Sequence, residues 1–136
     1  MGLAERRAAK EFETSRYPML KAQVDKAAGF EIPLTVRWDT IATDGEANLY
    51  DTAWEKVYFQ PLIGALESVC RDDMGRDAVK EGVKGFVIQN TGDIYYGDRW
   101  AKFDTGTLIL DHLPTTNIDN GKERTDGLIK VLEAAL

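Results

Sequence analysis

The stretch VKGFVIQNTGDIYYGDRWAKFDTGTLILDH, residues 83–112, decides how the fold is read. Short apolar runs alternate here with turn residues, and no helical period connects them. Residues 83–89 read as a well-buried strand, bounded by Gly82 and by the turn Asn90-Thr91-Gly92-Asp93. Residues 94–96 follow. Gly97-Asp98 and Asp104-Thr105-Gly106 punctuate the next short strands, and residues 107–112 form the last. Pro114 stops the sheet, since it has no N–H to give a ladder. Turns this closely spaced predict an antiparallel meander.

Upstream, Ile32, Leu34, Val36 and Trp38 alternate with Pro33, Thr35, Arg37 and Asp39, the period-two pattern of a half-buried strand. Pro33 belongs at a strand start or on a sheet edge. Helical spacing governs the rest. Over residues 3–28 Ala4, Ala8, Phe12, Leu20, Val24 and Ala27 share a face, Pro18 predicts a kink or break, and Gly29 sits where a left-handed terminal residue belongs. A second helix is expected over residues 52–71, capped by Asp51 and interrupted by Pro61. A short one follows over 73–81, with Asp73 as its cap. The last runs from Asn120, which has capping-box spacing to Glu123, to Leu136. The order α-β-α-β-β-β-α predicts one α+β domain over residues 1–136. Its sheet is expected to be mainly antiparallel, of about four strands, with helices packed on one face.

Composition narrows the function classes. The 136 residues include 43% hydrophobic and 29% charged side chains, which is a globular balance rather than a disordered one. A single cysteine, Cys70, cannot form an intrachain disulfide and suits a reducing, cytoplasmic setting. The N-terminal residues lack the apolar run of a secretory signal, and no apolar stretch approaches membrane-spanning length. Seventeen basic against 23 acidic residues leave a net charge of −6, which repels phosphate backbones. The basic residues of the first helix, Arg6, Arg7, Lys10, Arg16, Lys21 and Lys26, are diluted by Glu5, Glu11, Glu13 and Asp25. Neither nucleic acid nor a membrane is expected as a partner.

Four motifs invite a chemical reading. Phe103-Asp104-Thr105-Gly106-Thr107 resembles the catalytic loop of aspartic proteases, but those folds are almost wholly β, and a tight turn with Gly106 at positive φ explains the residues. His112, the only histidine, falls on the apolar side of its strand with Leu108 and Leu110, as a buried, hydrogen-bonded residue would. Cys70 lies on the apolar stripe of its helix, where a thiol is a packing group. Asp72-Asp73 with Asp77 and Glu81 suits helix capping better than a Mg²⁺ or Ca²⁺ loop, and no divalent metal or cofactor is expected.

What remains is Ile94-Tyr95-Tyr96-Gly97-Asp98-Arg99-Trp100, which gathers the residue types that dominate protein interfaces around one turn. Alternation forbids both tyrosines from facing the core, so Tyr95, Tyr96, Arg99 and Trp100 are the candidate partner-binding residues. The first expectation is an interaction module without catalysis that binds another protein or itself. A hydrolase-type enzyme built on convergent carboxylates from Asp72, Asp73, Asp93, Asp98, Asp104 or Asp111 is the second. A small-ligand binder with a pocket between sheet and helices is the third.

Overall fold

A computed structural model describes residues 2–136 of the chain, and Met1 lies outside it. The N-terminal helical arm consists of α1 (Leu3–Glu11), a π-helical turn (Phe12–Arg16) and α2 (Tyr17–Ala28). The expected interruption at Pro18 is therefore a π turn placed just ahead of it. The widened turn moves the carbonyls that a proline ring would otherwise strike. Gly29 ends the arm at φ 85°, donating to the Asp25 carbonyl.

The same device recurs in the central helix. α4 (Tyr50–Trp54), a π turn (Glu55–Phe59) and α5 (Gln60–Val69) run on without a gap, and Pro61 again follows the π turn. Leu49 rather than Asp51 occupies the cap position, and Asp51 sits in the first turn, where its charge suits the helix dipole. The two π turns face each other. Phe12 stacks on Phe59 with ring centroids 5.9 Å apart, and Arg16 pairs with Glu55. Trp38 and Trp54 complete an aromatic core around Phe12.

Strand β1 (Leu34–Val36) is shorter than the alternation predicts, because Trp38 turns into the short helix α3 (Trp38–Ile41) and packs on Tyr17. α6 (Asp73–Gly82) is capped by Asp72, whose carboxylate accepts from Gly75 N–H at 2.8 Å; Asp73 pairs with Arg76 instead. α7 (Gly121–Ala135) has Asn120 at its cap position, but no capping box forms because Glu123 is bonded elsewhere.

The sheet corrects the expected topology. Strands β1, β2 (Gly85–Gln89), β3 (Ala101–Asp104) and β4 (Thr107–Asp111) lie in the order β1-β2-β4-β3. β1 and β2 are parallel, β2 and β4 are parallel, and only β3 and β4 are antiparallel. The fold is α+β, but its sheet is mixed and mostly parallel. The reason lies between β2 and β3. Residues 94–96 form no strand, and residues 90–100 cross as an irregular loop that carries the chain past the position beside β2. β3 therefore lands at the outer edge, and its hairpin partner β4 fills the gap. Thr105 (φ 50°) and Gly106 (φ 89°) make that hairpin with both central residues at positive φ, which matches the strand twist.

Phe86, Ile88, Leu108 and Leu110 point to the buried side of the sheet, in register across β2 and β4. On the opposite face Val87 and Ile109 are half-buried between exposed Thr35 and Lys102. α5 packs chiefly on α7 and α2. Among the described residues, no helix is long and apolar enough to cross a membrane.

Candidate functional site

The loop between β2 and β3 is held at several points. At its entry Asp111 gathers residues 89–92: its carboxylate accepts from the N–H groups of Thr91 (2.9 Å) and Gly92 (3.2 Å), the Thr91 hydroxyl (2.5 Å) and the Gln89 amide (3.0 Å). Burial alone would raise its pKa. The hydrogen bonds from Thr91, Gln89 and Gly92 outweigh that and hold the carboxyl below its ordinary value. Further along, Leu113 N–H donates to the Ile94 carbonyl (2.8 Å) and the Asn117 side-chain amide donates to the Tyr95 carbonyl (2.6 Å).

Gly97 then lies directly on α7. A Cβ at Gly97 would come within 2.7 Å of the Arg124 backbone nitrogen, and one at Gly127 within 2.1 Å of the Gly97 carbonyl oxygen. Two glycines thus allow backbone to meet backbone. Glu123 accepts from Gly97 N–H at 3.2 Å, which is why it does not complete a capping box. At the loop's exit Trp100 is fully buried, its indole N–H donating to the Arg124 carbonyl at 2.8 Å.

Between these anchors Tyr95 and Tyr96 project outward, 45% and 48% exposed. Their rings lie 4.4 Å apart between centroids at a 40° tilt, and the Arg99 guanidinium sits 6.0 Å from the Tyr96 ring centre. A hydrogen bond with Tyr95 is the main influence raising the Tyr96 phenol pKa. Three of the four candidate residues, Tyr95, Tyr96 and Arg99, therefore form one exposed patch. Trp100 does not join it, because its ring is spent on the core. Both tyrosines face outward since this segment is not a strand, so the period-two argument does not apply to it.

The remaining candidates are dispersed. Asp104 sits at the β3–β4 turn, accepting from the Thr105 hydroxyl at 2.9 Å. Asp72 caps α6 and Asp111 holds the loop entry. Among the described residues no three His, Cys, Asp or Glu side chains gather so as to hold a metal ion. Cys70 is half-buried, and burial pushes its thiol pKa up, away from the reactive thiolate. A groove between α2 and α5, lined by Gln23, Lys26, Ala27, Gln60, Ile63 and Glu67, is open and presents mostly exposed side chains.

The residue that sequence reasoning passed over is Arg124. It is buried to 1% exposure, and its guanidinium donates to the backbone carbonyls of Val57 (3.0 Å), Lys56 (3.3 Å), Asn117 (2.8 Å) and Ile118 (3.0 Å). Its place beside Leu128 on a core-facing stripe is the only signal the sequence offers. Comparison of the chain with protein-family models, with curated proteins and with solved structures finds no match in any of the three.

Proposed function

We propose that this domain is a protein-interaction module whose docking element is the loop carrying Tyr95, Tyr96 and Arg99. The observation that carries this reading is exposed aromatic surface on a backbone that is already fixed. Gly97 rests on α7, Asn117 and Leu113 bond the loop's carbonyls, and Trp100 anchors its exit. Such a surface loses little conformational freedom on binding, which favours affinity. Tyr and Arg also supply apolar area with a polar end, the character of interface hot spots. A different protein suits the site better than a second copy, because two chains of net charge −6 repel each other.

Tyr95→Ala, Tyr96→Ala and Arg99→Ala test the reading. Each is expected to change stability by about half a kcal/mol or less, as exposed truncations do. Loss of an anchor is expected to weaken binding by about 2 kcal/mol, read in pull-down and titration experiments with concentration-dependent sedimentation alongside. Variants that are all strongly destabilised, with no partner lost, would overturn it.

A further inference from the structure

We propose that His112 is a proton-operated latch beneath the docking loop, so that protonating its buried ring releases residues 94–100 from their seat on α7. This inference rests on that loop being the docking element and assigns its regulation.

The geometry is specific to this histidine. His112 is fully buried, and its Nδ1 lies 2.6 Å from the Leu113 carbonyl oxygen. A carbonyl only accepts, so Nδ1 carries the ring proton and Nε2 is left as a lone pair. Among the described residues Nε2 has no hydrogen-bond partner. A proton added there would create a cation with a buried N–H that no protein acceptor among the described residues receives, an unfavourable state.

The charges around the ring are few. Arg124 on α7 is already a buried cation and opposes a second one. Asp111 on β4 and Glu123 on α7 favour it, but both carboxylates are engaged by other donors, on Thr91, Gln89 and Gly92 for Asp111 and on Gly97 for Glu123. Tyr58 contributes only a neutral hydroxyl, which donates to the His112 carbonyl at 2.5 Å. Burial, the largest influence, outweighs the Leu113 hydrogen bond, which favours the cation, and together with Arg124 holds the imidazole pKa below its ordinary value.

His112 and its neighbours also carry the loop. The Trp100 ring meets the imidazole edge-on, with centroids 6.4 Å apart. Asp111 N–H donates to the Trp100 carbonyl at 2.8 Å, and Leu113 N–H donates to the Ile94 carbonyl at 2.8 Å. Residues 111–113 therefore support both ends of the loop, and water can reach a protonated ring if Trp100 and its loop lift. The sign follows from the depressed pKa: the closed loop is favoured above the ordinary histidine value of about 6.5, and opening gains as pH falls below it. Asp111, held below the ordinary carboxylate range, stays ionised across this window.

The chain has one histidine, so its imidazole signals in NMR need no assignment among residues. Hydrogen-exchange protection factors are measured from pH 7.5 to 5 for the Gly97 and Arg99 amides and the Trp100 indole N–H. Val87 and Ile109, in the centre of the sheet, serve as references. The loop protons are expected to lose protection at least tenfold more than the references, while His112→Gln abolishes this difference. Equal loss in loop and sheet, no loss, or the same loss in His112→Gln would each overturn the latch. If His112→Gln does not fold, the wild-type ring decides: titration near 6.5 with unchanged loop protection refutes the proposal. No partner enters this experiment, so its failure is separate from failure of the docking reading, which the alanine variants test.

Discussion

Arg124 supplies the hydrogen bond that Pro61 lacks. In an α-helix the Val57 carbonyl receives the N–H four residues on, and in a π turn the Lys56 carbonyl receives the N–H five residues on. Both positions are residue 61, and proline has no N–H. The Arg124 Nε lies 3.0 Å from the Val57 oxygen and its Nη2 3.3 Å from the Lys56 oxygen. The rest of the guanidinium binds the Asn117 and Ile118 carbonyls, so one side chain fastens the central helix to the segment that enters α7.

Arg124→Met therefore leaves several buried carbonyls unpaired while roughly preserving volume. The expected loss is about 3 kcal/mol, read from urea denaturation. Arg124→Lys should recover little, because a single ammonium cannot span carbonyls that a planar fork reaches together. A destabilisation below about 1 kcal/mol for Arg124→Met would show that the carbonyls find other donors.

Gly127→Ala tests the seat of the loop. Its methyl would meet the Gly97 carbonyl oxygen at 2.1 Å, and that atom is backbone, which cannot swing aside. Displacement of the loop with a cost of about 2 kcal/mol is expected. Gly64→Ala is the control: its methyl meets a Thr125 methyl group at 3.3 Å, a contact that small shifts relieve. Thermal melts of the pair should separate clearly, and equal melts would mean that the loop is not fixed at this crossing.

The sequence made the helices legible because apolar spacing and two prolines are local signals. Pro18 and Pro61 marked the interruptions, but not that each takes the form of a π turn, nor that Phe12 and Phe59 of the two turns meet across the fold. Strand pairing was not legible. A turn at residues 90–93 followed by Ile94 reads as a hairpin, yet the Asp111 carboxylate, nearly twenty residues on, captures that turn and β4 takes the place beside β2. The tyrosines of the candidate site could be named from composition. That Trp100 turns inward could not, since its partner is the Arg124 carbonyl on a distant helix.

Two aspartates near the sheet should behave oppositely. Asp104 is exposed at a turn whose geometry is set by Thr105 and Gly106, so Asp104→Asn is expected to cost less than about half a kcal/mol and to leave partner binding intact. Asp111→Asn replaces an acceptor of several hydrogen bonds by a group with one accepting oxygen. It should cost about 2 kcal/mol and loosen residues 89–92. Chemical denaturation with hydrogen exchange at Thr91 and Gly92 checks both.

The pH dependence of that difference provides the last test. The Asp111 carboxyl is held below its ordinary value in the folded protein, because the Thr91, Gln89 and Gly92 donors outweigh the opposing effect of burial. A depressed folded pKa means that the unfolded chain takes up the proton first as acid is added. The stabilisation is thus complete well above the unfolded value of about 3.9 and drains away as pH falls toward the folded one. Asp111→Asn has no such proton to gain. The stability gap between wild type and Asp111→Asn is therefore expected to be widest near neutral pH and to narrow steadily below about pH 4.5. Urea midpoints measured for both proteins between pH 7 and 3 give the gap directly. A gap that stays constant into strong acid would mean that Asp111 holds the loop by shape rather than by its charge.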